Sequence, residues 1–103
     1  MANMNQMMKQ AHQMQAKLAT LQKELDTREF DASSGGGMVK AIVNGKQELI
    51  NIEINKECVD PEDIEMLQDL VKTAVNQALS TSQESVNKAM SKVTGGLSVP
   101  GLF

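Results

Sequence analysis

Residues 33–55 constrain the fold more than any other part of the chain, because a glycine turn, two strand patterns and an Asn-Gly pair follow one another there. Asn44-Gly45 is the preferred pair for a two-residue type I′ turn between antiparallel strands, so the third strand is expected from about Lys46 to Asn55. The apolar residues that alternate with polar ones on the two sides of this turn are Val39, Ala41 and Val43, then Ile50, Ile52 and Ile54. The stretch carries no candidate catalytic group, so the function is expected to reside in the flanking segments.

A shorter strand precedes this hairpin. Phe30 and Ala32 alternate with Glu29 and Asp31, and three glycines at 35–37 supply the permissive backbone for a turn into the next strand. Residues 29–55 are therefore predicted to form a three-stranded antiparallel meander. Its apolar face needs a cover, and helices are the only remaining material for one.

The N-terminal segment has an unbroken heptad series of apolar residues: Met4, Met7, Ala11, Met14, Leu18, Leu21 and Leu25. It predicts a helix over residues 4–28, about 37 Å long, which is too long for so small a body to cover. Part of this helix should project. The leucine half is expected to pack on the sheet or on a partner helix, whereas the methionine half is more adaptable.

A second helix is predicted over residues 61–94. Asp60 is the expected N-cap, with Pro61 at the first helical position and carboxylates in the first turn. The apolar face of this helix thins beyond residues 80–82, Ser-Thr-Ser, so a kink or break is expected near residues 80–84. Residues 95–103, rich in glycine and proline, are expected to form a mobile tail.

These elements predict one α+β domain over residues 1–103, with the order α-β-β-β-α and long helices flanking a small meander. The heptad stripe and the second apolar face exceed what three strands can cover. A chain of 103 residues also buries only a modest fraction of its surface, which favours a homodimer.

The charges of the chain are segregated along the sequence. A formal net charge of −3 argues at first against a nucleic-acid partner. Residues 1–28 sum to +2 and residues 84–103 to +1, whereas residues 29–59 sum to −2 and residues 60–83 to −4. Such polarity can orient a molecule toward a polyanion, although ordinary solvated helix faces are the alternative interpretation.

The sequence offers little for catalysis or metal binding. The single cysteine, Cys58, excludes an intrachain disulfide and is expected to be a small buried hydrophobe. His12, the single histidine, has no carboxylate or cysteine three or four residues away, and the triple glycine lacks the residues of a phosphate-binding loop. We therefore predict a protein that is not an enzyme, with no cofactor, no metal and no small-molecule substrate.

No membrane association is predicted either. The N-terminus lacks the apolar core of a signal peptide, and no apolar run approaches the roughly 18 residues of a membrane span. A methionine-rich helix lying on a membrane surface would usually carry bulkier apolar residues and denser lysine. The expected location is the cytoplasm.

Several segments together identify a family resemblance. Ser-x-Gly-Gly-Gly-Met-Val-Lys at 33–40, x-Val-Asn-Gly at 42–45, Ile-x-Ile-Asn at 52–55 and Glu-Met-Leu-x-Asp-Leu-Val at 65–71 follow a methionine- and glutamine-rich start. With the Pro-Gly-Leu-Phe ending, this order resembles the YbaB/EbfC family of bacterial nucleoid-associated proteins. The resemblance implies a tweezer-shaped homodimer whose helical arms bind duplex DNA in the nucleoid, with a role in chromosome organisation or gene regulation.

On this hypothesis the projecting helices straddle the duplex and their lysines neutralise phosphates. The expected DNA-binding residues are Lys9, Gln13, Lys17 and Lys23 on the first helix, and Lys88 and Lys92 on the second. Gln6 and Gln10 add neutral hydrogen-bond donors beside Gln13. The alternative is a dimeric coiled-coil adaptor that grips a protein through its methionines and does not bind DNA directly.

Overall fold

A computed structural model describes residues 4–93 and confirms the predicted order α-β-β-β-α. The elements are α1 (Met4–Thr27), β1 (Glu29–Ser34), β2 (Val39–Asn44), β3 (Leu49–Ile54) and α2 (Ile64–Val93). The strands form one antiparallel sheet in the order β1-β2-β3. The predicted tail over 95–103 lies outside the described residues.

The core lies between α2 and the first two strands. Val39, Ala41 and Val43 are fully buried, as their alternation predicts, and α2 contacts β1 and β2 across them. Ala74 and Ala78, one turn apart on α2, are also fully buried, and their small side chains let the helix approach the sheet closely. Cys58 joins this cluster as the predicted buried hydrophobe, and its thiol donates a hydrogen bond to the Asn55 carbonyl oxygen (3.1 Å).

The third strand lies at the edge of the sheet and is largely exposed. Ile52 and Ile54 stand opposite Ala41 and Val39, so they belong to the face that α2 covers over β2. Ile54 nevertheless stays exposed, as do Leu49 and Ile50. An apolar edge strand of this kind is open to pairing with another chain.

The turn between β2 and β3 differs from the predicted two-residue type I′ turn. Gln47 N–H donates to the Asn44 carbonyl oxygen (3.1 Å), and Asn44 N–H donates to that of Glu48 (3.0 Å). The backbone of Gln47 is left-handed, with φ of 66°, while Gly45 is not among the residues with positive φ. The connection is therefore a three-residue loop, and β3 begins at Leu49 instead of Lys46.

The second helix starts later than predicted and does not break. Asp60 caps a separate turn by accepting from the Glu62 N–H (2.9 Å), whereas Asp63 accepts from the Met66 N–H (3.2 Å) and is the N-cap of α2. The helix then continues to Val93 through residues 80–84. Ser82 does not interrupt it because its side chain is fully buried against the β2–β3 turn.

The two helices make the molecule elongated, with extents of 74 × 20 × 18 Å. A compact chain of this length has a radius of gyration of about 13 Å, whereas the value here is 19.5 Å. On α1, Leu25 is buried and Leu18 and Leu21 are half-buried, while Met4 and Met7 are exposed. The leucine half of the stripe thus packs on the body, and the methionine half projects, as the sequence predicts.

Candidate nucleic-acid interface

The β2–β3 turn is the junction that holds both helices. The Ser82 hydroxyl donates to the Asn44 carbonyl oxygen (2.8 Å) and accepts from the Gln47 side-chain amide (2.9 Å). The Asn44 side-chain oxygen in turn accepts from the backbone N–H groups of Lys46 (2.9 Å) and Glu48 (3.1 Å). These bonds fix the turn against the middle of α2.

The same turn also meets the C-terminal end of α1. A Cβ atom placed on Gly45 would lie 1.9 Å from the Leu25 carbonyl oxygen. Only a glycine therefore lets the α1 backbone come this close. From Leu25, α1 reaches back to Met4 over about 31 Å, and from Ser82, α2 continues to Val93 over about 17 Å. Both helices therefore extend away from the β2–β3 turn, and α1 extends farther than α2.

The predicted polar residues of α1 form a row on the projecting helix. Lys9, Gln13 and Lys17 are spaced four residues apart and are all exposed, so their side chains follow one another along one side of the helix. The row is about 12 Å long. Lys9 lies opposite the middle of the apolar stripe, whereas Lys17 lies at its edge and lines a surface groove with Leu21.

The lysine charges on this helix are not compensated by ion pairs. Within residues 4–93 the one ion pair joins Lys40 to Asp31 (3.3 Å). No acidic residue precedes Glu24 in the chain. Lys9 and Lys17 are thus exposed and outside any ion pair of the described residues, although Lys17 lines a groove with Glu24. Exposed, unpaired lysines are the condition for an electrostatic contact with phosphate groups.

Lys23 has different surroundings from the other lysines of α1. It lines an open groove of about 450 Å³ together with Asp26, Glu29 and Glu48, beside the β2–β3 turn. Three carboxylates thus line the groove beside Lys23, although none of them forms an ion pair with it. The exposed Lys46, which the sequence analysis did not single out, lines the same groove.

Lys88 and Lys92 form a second, smaller positive set on α2. They are one turn apart and both are exposed. Lys92 lies in the last turn of the helix, where the helix dipole stabilises a cation whatever the function. All six residues predicted to bind DNA are thus accessible, in one row on α1 and one pair on α2, with Lys23 beside the junction.

The opposite end of the molecule is strongly acidic. Residues 57–69, around the start of α2, hold six carboxylates and no lysine or arginine: Glu57, Asp60, Glu62, Asp63, Glu65 and Asp69. All six are exposed. The charge of this surface would repel a polyanion.

The part of the chain that the structure describes has neither a metal-binding cluster nor a membrane-spanning helix. Residues 4–93 contain no group of three or more His, Cys, Asp or Glu side chains able to hold a metal ion. Neither α1 nor α2 combines the length and the apolar character needed to cross a membrane.

Comparison with known proteins shows the family to which the chain belongs. A nucleoid-associated protein of Moorella thermoacetica is 57% identical to the chain over 101 residues, covering 98% of this chain and 97% of that protein. One from Desulforamulus reducens is also 57% identical, covering 98% and 96%. The crystal structure of the uncharacterized protein HP0035 from Helicobacter pylori has the same fold, with a TM-score of 0.77 at 23% identity, covering 92% of this chain and all of that one. Residues 1–97 match the YbaB/EbfC DNA-binding family, and the chain belongs to that family.

Proposed function

We propose that the protein binds duplex DNA as a homodimer, chiefly through phosphate contacts made by its helical arms. The observation that carries this proposal is the row of Lys9, Gln13 and Lys17, which is exposed, has no ion pair among residues 4–93, and lies on a helix whose first acidic residue is Glu24. Lys88 and Lys92 add charge from the neighbouring arm. The protein acts by binding and not by catalysis, in the nucleoid of the cytoplasm, where it organises the chromosome or regulates genes.

Counterion release supplies most of the binding free energy in such a contact. Lysines on a projecting rod displace condensed cations from the phosphates, so affinity falls steeply with salt and depends little on sequence. Gln6, Gln10 and Gln13 donate hydrogen bonds to backbone or groove atoms and help to set the position of the helix. The acidic start of α2 faces away from the duplex.

The uncovered apolar surface supports the homodimer. Large apolar side chains remain exposed on β3 and around the start of α2: Leu49, Ile50, Ile54, Val59, Ile64 and Met66. A chain of this length buries little surface alone, so pairing with a second copy covers residues that are otherwise in water. A homodimer also has two sets of helical arms, which form the two sides of the tweezer shape.

The test is fluorescence anisotropy of a labelled duplex at several salt concentrations. If about four to six phosphates are neutralised per dimer, log K falls against log salt with a slope of about −4 to −5. Reversal of the row, as Lys9→Glu with Lys17→Glu, should lower the affinity at least tenfold and flatten the slope. A near-flat response of the native protein would contradict the proposal.

A matched control separates the arm from the net charge. The double variant Lys56→Glu with Lys72→Glu changes the net charge by the same amount, but at exposed lysines outside α1. We expect this variant to bind nearly as tightly as the native protein. If both double variants bind as well as the native protein, the exposed methionines of α1 favour the second candidate, an adaptor for a protein partner.

A further inference from the structure

The side of α1 opposite Lys9 is an exposed methionine stripe, formed by Met4, Met7, Met8 and Met14. Their exposed fractions are 75%, 58%, 58% and 39%. Phosphate contacts by Lys9 leave this stripe unused, because Lys9 lies on the far side of the helix from Met4, Met7 and Met14, whereas Lys17 lies at the edge of the stripe, one turn beyond Met14.

The methionine stripe continues an interface that already exists within the chain. The same heptad series runs on through Leu18 and Leu21, which are half-buried, to Leu25, which is 2% exposed against the body. The series therefore packs over its C-terminal half and lacks a cover among the described residues over its N-terminal half. A second copy of α1 presents the same heptad pattern and so offers a matching surface for that half.

We propose that the methionine stripe pairs with the methionine stripe of a second copy bound nearby on DNA. This inference rests on the DNA binding proposed above. Each α1 then has two binding surfaces. Its lysines contact the duplex, and its methionines contact the α1 of a neighbouring dimer. The pairing makes binding cooperative along one duplex and lets two duplexes be held together.

The charges of α1 permit this pairing. In the heptad series Lys9 occupies the position farthest from the seam, and the residues that flank the seam between Met4 and Met14 are Met8 and Gln10. Lys17 lies beyond the Met4–Met14 segment. Two such segments thus come together without placing like charges at the contact. Methionine also adapts readily to a second flexible surface.

Because the Met4–Met14 segment is short, we expect its pairing on DNA and not between free molecules. Met4–Met14 forms about three helical turns, a length at which an isolated helical pair is marginal in water. Pairing between free molecules is therefore weak. Copies bound to one DNA molecule face effective concentrations on the order of millimolar, which makes the same weak contact effective.

The experiment compares a short duplex that admits one dimer with a duplex several times longer. The variant carries Met4→Gln, Met7→Gln, Met8→Gln and Met14→Gln, which keep the helix and its charge. The control carries His12→Gln and Ala16→Gln on the other side of α1. We expect all three proteins to bind the short duplex within about twofold of one another, since the lysines are unchanged. On the long duplex, only the methionine variant should lose cooperative binding. In a second assay, beads coated with the long duplex should retain a free duplex through the native protein and the control, but not through the methionine variant.

A cross-link identifies the occupant of the stripe. In a Cys58→Ala background, Met7→Cys should give covalent pairs with a short bis-maleimide on the long duplex and not on the short one. Unchanged cooperativity in the methionine variant, or no cross-link on the long duplex, would overturn the inference. A native protein that fails to bind the short duplex refutes the proposed function itself, which keeps the two failures distinguishable.

Discussion

Replacement of Gly45 by alanine tests the junction that anchors α1. The new Cβ would lie 1.9 Å from the Leu25 carbonyl oxygen and 2.5 Å from its carbonyl carbon, whereas ordinary contact begins at 3.4 Å. The end of α1 must therefore move by at least about 1.5 Å, because a helix backbone cannot rotate away as a side chain can. Overpacking of this kind costs about 1–3 kcal/mol, and lost burial of Leu25 adds to it. We expect the free energy of unfolding to fall by about 3 kcal/mol.

Urea unfolding followed by circular dichroism measures this loss, and hydrogen exchange locates it. Amide protection should fall around Leu18–Leu25 and persist in β2. Gly36→Ala is the matched control, because its Cβ meets nothing within 4 Å although its φ is 66°. That variant should lose on the order of 1 kcal/mol, with α1 unaffected. Native stability and native α1 protection in Gly45→Ala would refute the anchoring role of this contact.

Three further substitutions test the local interpretation of α2. Ser82→Ala should lower the free energy of unfolding by about 1 kcal/mol in the same urea assay, because the Asn44 carbonyl keeps its bond from the Gln47 N–H; an unchanged midpoint would contradict this. Asp63→Ala should lower the free energy of unfolding by about 1 kcal/mol, because α2 loses its N-cap, and Asp60→Ala should lower it less. A larger loss for Asp60→Ala would show that Asp60 is the N-cap.

Local patterns were sufficient to predict the elements of the fold. Alternation around Ala41 and the heptad series ending at Leu25 each concern residues that share one face, so their spacing alone predicted burial. The turn at Asn44-Gly45 was misinterpreted because an Asn-Gly pair has two uses. Here the glycine is needed for the approach of the α1 backbone and not for a positive φ. That requirement comes from a distant segment and leaves no local signal.

The candidate site shows the same division. The row of Lys9, Gln13 and Lys17 followed from helical spacing along α1. The acidic groove around Lys23 depends on the position of the β2–β3 turn, which spacing within α1 does not contain. Ser82 was interpreted as a possible helix break because its hydrogen-bond partner, Asn44, is 38 residues away. A polar residue inside an apolar series is the one signal that could have indicated a buried hydrogen bond there.

The anchoring of α1 near one end has a mechanical consequence. Met4 lies 14 residues beyond Leu18, the half-buried leucine farthest from the junction, so the free part of the helix is a lever about 21 Å long. A tilt of about 10° at its base displaces the tip by about 4 Å, without bending the helix or disturbing its hydrogen bonds. In the proposed homodimer, small adjustments of packing at the base would change the distance between opposing arms, so that ligands of different width could fit between them without remodelling of either helix.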